Sequence, residues 1–180
     1  MIPCIFQPTE TYVETSLISA ICRLFWRDRA LLESNIHEVA ITHKLACYLQ
    51  DMFAYLDVDC EYNKHEENPK RVNQDEPKSI RPDIVVHRRK RDDCNLLVIE
   101  VKKIGTRQRN IDPDKLKALT DQNGNFQYKY GVGLKLYKDK DICPCIQVYE
   151  GGEISKEKTC KWQKDLKKIW KIFFKAYTES

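Results

Sequence analysis

Long hydrophobic runs are absent from this sequence, whose uncharged apolar stretches are a handful of residues long and far too short to span a bilayer. Residues 1–10 show no basic segment followed by an apolar one, so no secretory signal is expected. The chain also lacks a glycine loop of the phosphate-binding type. These absences disfavour a membrane-spanning protein, a secreted protein and an enzyme that couples its work to NTP hydrolysis.

Cysteine pairs with the CxxC spacing of zinc sites are also missing, although the chain contains 8 cysteines. Their positions are irregular and several lie in apolar runs, which is typical of buried, reduced thiols. Dense disulfide frameworks belong to small secreted proteins. We therefore predict free thiols and a cytoplasmic, reducing intracellular compartment.

The length and composition fit one globular domain. A chain of 180 residues buries about 70% of its unfolded surface when it folds. With 42% hydrophobic and 32% charged residues, it is neither disordered nor a membrane protein. We predict a single domain over residues 1–180, with a helical extension at 1–34, a core at 35–150 and a basic amphipathic helix within 151–180.

Hydrophobic periodicity predicts an α/β order of elements. The expected helices cover 14–32, 35–55, 113–121 and 158–177, and the expected strands cover 58–62, 80–87, 96–101, 128–137 and 142–149. The polar stretch 63–78 is long for an internal loop, so we expect it to be disordered or a functional flap. A strand meander followed by a helical crossover implies a mixed, roughly five-stranded central sheet, with a right-handed crossover between two parallel strands.

Two acidic residues interrupt the apolar pattern of the second and third strands. Asp83 follows Pro82, and Glu100 lies two residues before Lys102. If residues 91–92 form the centre of the hairpin, Asp83 pairs directly opposite Glu100, with the two Cβ atoms about 5 Å apart. Lys102 shares the face of Glu100, because side chains alternate along a strand. Opposed carboxylates repel one another unless a cation lies between them, and their hard oxygens favour Mg²⁺ or Mn²⁺.

A second interpretation of these residues stays open at this point. Asp83 is then only a turn residue, while Glu100 and Lys102 form an exposed ion pair. Leu96 and Val98 fall on the same face as Glu100 by strand alternation, so that face is apolar and is expected to be covered. A covered carboxylate favours the metal-binding interpretation.

The two short motifs Pro82-Asp83 and Glu100-Val101-Lys102 resemble the signature of the PD-(D/E)XK, or restriction-endonuclease-like, nuclease superfamily. The resemblance covers roughly residues 35–149, where the predicted order of helix, three strands, helix and strand also matches the core of that family. It implies a three-layer α/β/α fold around a mixed sheet. It also implies a divalent-metal-dependent nuclease that hydrolyses phosphodiester bonds.

The resemblance further implies a role for each residue of the motif. Asp83, Glu100 and the carbonyl of Val101 would bind Mg²⁺ or Mn²⁺, and Lys102 would be the catalytic lysine. The family often adds a glutamate from the helix before the first strand, and Glu38 fits that place.

Glu38 has a second interpretation that depends on the start of its helix. It lies three residues after Asn35, as in a capping box, where it would only stabilise the helix terminus. It also aligns with Thr42, Leu45 and Leu49 on the stripe expected to face the sheet. A carboxylate at that position would reach an ion at the edge of the sheet.

Basic residues cluster beside the motif and near the C-terminus. We assign nucleic-acid binding to five of them, namely Arg88, Arg89, Arg91, Lys103 and Arg107. The C-terminal helix places Trp162, Leu166, Ile169, Trp170 and Phe173 on one face. For this helix we favour core packing with its lysines in solvent, ahead of phosphate contact and of a membrane-surface or partner helix.

The expected partner is therefore a nucleic acid, with DNA favoured over RNA, and no membrane partner is expected. A homodimer is one option, since two-strand cutters often need two active sites and the N-terminal helix could supply the contact. The alternative function is a catalytically inactive nuclease-like fold that acts as a nucleic-acid-binding or assembly module.

Overall fold

The computed structural model describes residues 7–34, 37–62, 64–65, 68–69, 71–72, 78–91, 93–104, 110–139 and 141–175. Its helices are α1 Glu10–Arg27, α2 Arg29–Glu33, α3 Glu38–Met52, α4 Pro113–Thr120 and α5 Lys156–Lys175. Its longer strands are β1 Asp57–Cys60, β6 Ile84–His87, β7 Leu97–Ile104, β8 Tyr130–Tyr137 and β9 Cys145–Glu150. The short strands are β2 Lys64–His65, β3 Asn68–Pro69, β4 Arg71–Val72, β5 Lys78–Ser79 and β10 Glu153–Ile154.

One mixed sheet of six strands forms the centre of the fold, in the order β1-β6-β7-β8-β9-β10. Only the β7–β8 pair among these is parallel, and α4 lies between the two strands in the chain, so the predicted parallel crossover is confirmed. The sixth strand, β10, was not predicted. It follows a tight turn at Gly151 and Gly152, whose φ angles of 60° and 80° suit glycine.

Helices cover both faces of this sheet. One buried cluster joins α1, α3 and α5 to strand residues such as Val86, Ile99 and Val148. A second cluster joins α4 to Val85, Val98 and Tyr149, which are the chain neighbours of those residues. Neighbouring strand residues point to opposite faces, so α4 packs on one side of the sheet and α1, α3 and α5 pack on the other. The predicted α/β class with a mixed sheet is confirmed.

The N-terminal helices begin and end differently from the prediction. The expected helix 14–32 is divided into α1 and α2 at Asp28, whose N–H still donates to Leu24 O. The predicted capping box at the start of α3 is wrong, because the N-cap residue is His37 and Glu38 is the first helical residue. Asn35 lies outside the described residues. The carboxylate of Glu38 is therefore available for another role.

The polar stretch 63–78 contains regular structure where it is described. β2 pairs with β3 and β4 pairs with β5, each pair antiparallel. The expectation of disorder is therefore wrong for these strands, since their main chains form local β-ladders, while the alternative of a functional flap stays a prediction.

The cysteines follow the prediction only in part. Free thiols are present at positions 22, 47, 60, 143, 145 and 160. Cys94, however, is disulfide-bonded, so the expectation of reduced thiols is wrong for that residue. None of the described helices is both long enough and apolar enough to cross a bilayer.

Candidate active site

The register of β6 and β7 sets the geometry of the site. Ile84 pairs with Ile99 and Val85 with Val98, so one further step places Asp83 opposite Glu100, as the hairpin arithmetic predicted. Two hydrogen bonds join the pair: Asp83 N–H donates to Glu100 Oε1 at 3.3 Å, and Val101 N–H donates to Asp83 Oδ2 at 2.7 Å. The two carboxylates are thus held side by side at the junction of these strands.

The Glu100 side of the sheet is covered by α4. Val98 packs with Leu116 of that helix, and Glu100 itself is only 4% exposed. This excludes the interpretation of Glu100 as part of an exposed ion pair. Leu96 departs from the expectation, because it precedes β7 and packs in the cluster on the opposite face.

Burial changes the acidity of both carboxyls. It raises the pKa of Glu100 to about 7, with a further rise from the charge of Asp83, while the Lys115 ammonium opposes this increase. The pKa of Asp83 is also raised, mainly by burial, although the Val101 N–H bond and the charge of Lys102 work in the opposite direction. Such a pair binds a proton or another cation more readily than two exposed carboxylates do.

Lys102 places its ammonium among the predicted metal ligands. Its Nζ lies 2.8 Å from Glu38 Oε1, 2.9 Å from the carbonyl oxygen of Val101 and 3.9 Å from Asp83 Oδ2. Burial lowers the pKa of Lys102, but the hydrogen bond to Glu38 and the charge of Asp83 outweigh it and the net shift is upward. Three of the four predicted ligands therefore already surround one cationic group.

Glu38 reaches the end of β7 from the first turn of α3. One carboxylate oxygen binds the Lys102 ammonium, and Oε2 accepts a hydrogen bond from Lys103 N–H at 2.9 Å. The structure thus brings Glu38 together with Asp83 and Lys102, and the expectation that its helix delivers a carboxylate to the site is supported by these contacts.

Lys115 belongs to the same cluster and was missed at the sequence level. Its Nζ lies 2.6 Å from Glu100 Oε1 and donates to Arg81 O at 2.7 Å. One feature of the sequence indicates that Lys115 has a role outside its own helix. Lys115 lies in the first turn of α4, where the helix dipole disfavours a cation. The crossover helix between two parallel strands also runs back over the sheet, which brings its first turn close to the end of β7.

The arginines of the β6–β7 hairpin are mostly matched by carboxylates. Arg89 donates to both carboxylate oxygens of Asp59, at 2.8 and 2.5 Å. Arg91 is paired with Asp93 at 2.5 Å. Arg88 is exposed. The predicted nucleic-acid-binding role is therefore weakened for Arg89 and Arg91, because β1 and the hairpin itself supply their counter-charges.

The structure also gives no support to a nucleic-acid-binding role for the other two residues to which it was assigned, Lys103 and Arg107. Lys103 Nζ donates to the main-chain oxygens of Leu31, at 3.1 Å, and Ser34, at 2.5 Å, near the end of α2. This is a favourable position for a cation, since the C-terminus of a helix is negative. Arg107 lies outside the described residues.

The C-terminal helix α5 contributes to the core, as the favoured interpretation stated. Trp162, Leu166 and Trp170 are buried, whereas Phe173 is 43% exposed and was wrongly placed on the buried face. Several of its lysines are paired, with Lys158 bound to Glu10 and Glu150.

The oxygen atoms of the site are chemically suited to a hard divalent cation, since carboxylates and a carbonyl are the ligands that Mg²⁺ prefers. Within the described part of the chain, however, no three His, Cys, Asp or Glu side chains are grouped closely enough to hold a metal ion. Lys102 and Lys115 instead neutralise these carboxylates. Comparisons with family models, curated proteins and solved structures found no match to this chain.

Proposed function

We propose that this protein is a Mg²⁺- or Mn²⁺-dependent nuclease that hydrolyses phosphodiester bonds of nucleic acid, with DNA favoured over RNA, on a restriction-endonuclease-like core. The observation that supports this most strongly is the convergence of Asp83, Glu100 and Lys102 across two paired strands. An ordinary structural ion pair needs one carboxylate and one cationic group. A second buried carboxylate beside the first is costly unless a cation lies between the two.

The ligand set is suited to a divalent cation because it already binds a cationic group. The Lys102 ammonium contacts Glu38 Oε1 and Val101 O, with Asp83 Oδ2 at 3.9 Å. Glu38, Asp83, Glu100 and the Val101 carbonyl would hold the ion. A bound Mg²⁺ would lower the pKa of a coordinated water and stabilise charge on a phosphoryl oxygen.

The residues of the chain have distinct tasks in this scheme. Asp83 and Glu100 are fixed relative to each other by the two hydrogen bonds that link them through the main chain. Lys102 is released from Glu38 and uses its ammonium to orient the attacking water and to neutralise developing negative charge. The packing of α4 over Glu100 excludes bulk water from that side, which strengthens these electrostatic interactions.

A second candidate is a catalytically inactive nuclease-like fold that serves as a nucleic-acid-binding or assembly module. It is favoured by the absence of a metal-binding group among the residues that the structure describes. It is also favoured by the ion pairs of Lys102 and Lys115, which satisfy the carboxylates without any metal.

A cleavage assay separates the two candidates. Single- and double-stranded DNA and RNA are incubated with the protein in Mg²⁺, in Mn²⁺ and in EDTA. We expect metal-dependent cleavage that Asp83→Asn and Lys102→Ala each reduce by at least about a hundredfold, the usual scale of a general acid–base or charge-stabilising group. Glu157→Gln, an exposed carboxylate on α5, is the matched control and should cleave like the parent protein.

The outcomes are distinct. No cleavage of any substrate in either metal supports the inactive module. Cleavage that survives both Asp83→Asn and Lys102→Ala means that the reaction takes place elsewhere in the protein.

The setting of the proposed enzyme is cytoplasmic. The six free thiols among the described residues support a reducing compartment, whereas the Cys94 disulfide is the observation that counts against it. A homodimer would supply the two active sites that two-strand cutting requires. Trp26, 46% exposed and close to the exposed Phe173, offers apolar surface on the N-terminal helix for that contact.

A further inference from the structure

A lysine on the neighbouring strand lies beside the candidate site. β7 and β8 are parallel, and Lys102 is the register partner of Lys135. Register partners in a parallel pair share a face, so Lys135 lies on the face of Glu100 and Lys102, one strand farther along the sheet. It is half-buried and forms no ion pair with any residue in the described part of the chain. No carboxylate of the described residues therefore balances the positive charge of Lys135.

Lys115 approaches from the helix that covers the same face. Its ammonium binds Glu100 Oε1 at 2.6 Å and the Arg81 carbonyl at 2.7 Å, and its side chain is 19% exposed. Lys102 is therefore flanked by one lysine from the neighbouring strand and one from the helix above.

The charge of the site matches a phosphodiester once a divalent ion is bound. When the three carboxylates of Glu38, Asp83 and Glu100 are all ionised, they face the two ammonium groups of Lys102 and Lys115, which leaves one excess negative charge. A divalent cation turns this into one excess positive charge. One phosphodiester group then neutralises it, and Lys135 remains for the next phosphate along the strand.

The hairpin offers a poorer surface for phosphates. Arg89 and Arg91 are each balanced by a carboxylate, Asp59 and Asp93, so these two residues carry no excess positive charge, whereas the site that contains Lys115 carries one once a divalent ion is bound. Arg89 also lies beyond the far end of β6, in the turn that follows His87. At about 3.3 Å per residue, His87 is already roughly 13 Å from Asp83 along the strand.

We propose that the phosphate backbone of the substrate crosses the end of the sheet over Lys135 and Lys115, on either side of the reaction site, and does not follow the hairpin arginines. This inference rests on the proposed function, since it supplies the substrate contacts of that site. Phosphate contacts of this kind position a strand without reading its sequence.

The salt dependence of binding tests this proposal. Anisotropy of a fluorescein-labelled DNA duplex gives the affinity of the full chain between about 50 and 200 mM salt, with Ca²⁺ in place of Mg²⁺ and with intact substrate confirmed on a gel. Each phosphate contact contributes about 0.9 to the slope of log K against log salt. We expect Lys135→Ala and Lys115→Met each to reduce the slope by about this amount and to weaken binding severalfold.

The controls are matched to the variants. Lys117→Ala removes a lysine from the same helix as Lys115, where it pairs with the exposed Glu153, and Arg89→Ala removes a hairpin charge. Both should leave the slope unchanged. Should Lys115→Met fail to fold, as circular dichroism would show, Lys135→Ala decides the proposal alone, because its side chain has no ionic partner among the described residues.

Two results overturn the proposal in different ways. A slope that is unchanged in Lys135→Ala but reduced in Arg89→Ala or Arg88→Ala places the backbone on the hairpin and leaves the proposed nuclease function intact. A parent protein that binds no DNA or RNA at any salt concentration removes the proposed function and this inference together.

Discussion

Replacement of Glu100 by glutamine tests the electrostatics of the site without any metal. Burial and the charge of Asp83 raise the pKa of this carboxyl from 4.5 to about 7. Folding therefore favours its protonated form, and this contribution to stability is fully present below pH 4.5 and lost as the pH rises through about 7. One pKa unit corresponds to about 1.4 kcal/mol, so the free energy of unfolding should fall by on the order of 3 kcal/mol across this range.

Glutamine retains the shape of the side chain and cannot ionise. The Glu100→Gln variant should therefore lose this part of the pH dependence, and it also loses the ion pair with Lys115 at 2.6 Å. Urea denaturation in EDTA, at several pH values on both sides of the pKa of Glu100, gives the free energy of unfolding for the parent, the variant and the control Glu157→Gln. A variant with the same pH slope as the parent protein would refute the reasoning.

Substitutions at three further positions test the packing and polar contacts around the site. Gly131→Ala should lower the free energy of unfolding by about 1–3 kcal/mol in thermal melts, because the new Cβ would lie 2.8 Å from Thr120 Cγ2. Asp112→Ala should cost about 1 kcal/mol in urea denaturation, since this side chain accepts hydrogen bonds from first-turn N–H groups of α4, and Asp112→Ser should restore most of it. Burial raises the pKa of Asp59, but the hydrogen bonds from Arg89 outweigh it and lower the pKa overall, so its contribution is present at neutral pH and lost in acid. Asp59→Asn should therefore destabilise the protein by about 1–3 kcal/mol at pH 7 and less at pH 3, as denaturation at the two pH values would show.

The local geometry of the site could be predicted because a hairpin sets its own register. Once the turn is assigned, every cross-strand pair follows by counting, and the pairing of Asp83 with Glu100 was obtained in this way. The same holds for Asp112 and Pro113, which start α4 as their residue types indicate. The start of α4 depends on residues that are adjacent in the sequence. The pairing of Asp83 with Glu100 depends only on the equal distance of both residues from the centre of the hairpin.

The missed features depend on contacts between distant parts of the chain. Arg89 meets Asp59 of β1 thirty positions earlier, so the charge of this arginine is balanced by a strand that local patterns cannot pair with it. Lys115 meets Glu100 only because α4 folds back over the sheet. The start of α3 was misplaced for a similar reason, since the Glu38 carboxylate binds β7 and does not cap its own helix.

The contact between the first and last helices has a consequence for the order of folding during synthesis. Lys161 of α5 binds Glu14 of α1, 147 positions away, and Lys158 binds Glu10 of the same helix. Contacts of such long range form late, because a large loop must close before they bring any gain in stability. The ribosome synthesises the sheet and its acidic cluster before α5, which covers the opposite face. A ribosome-bound chain without α5 therefore contains every residue of the site but lacks the helix that completes the packing on the other side of the sheet.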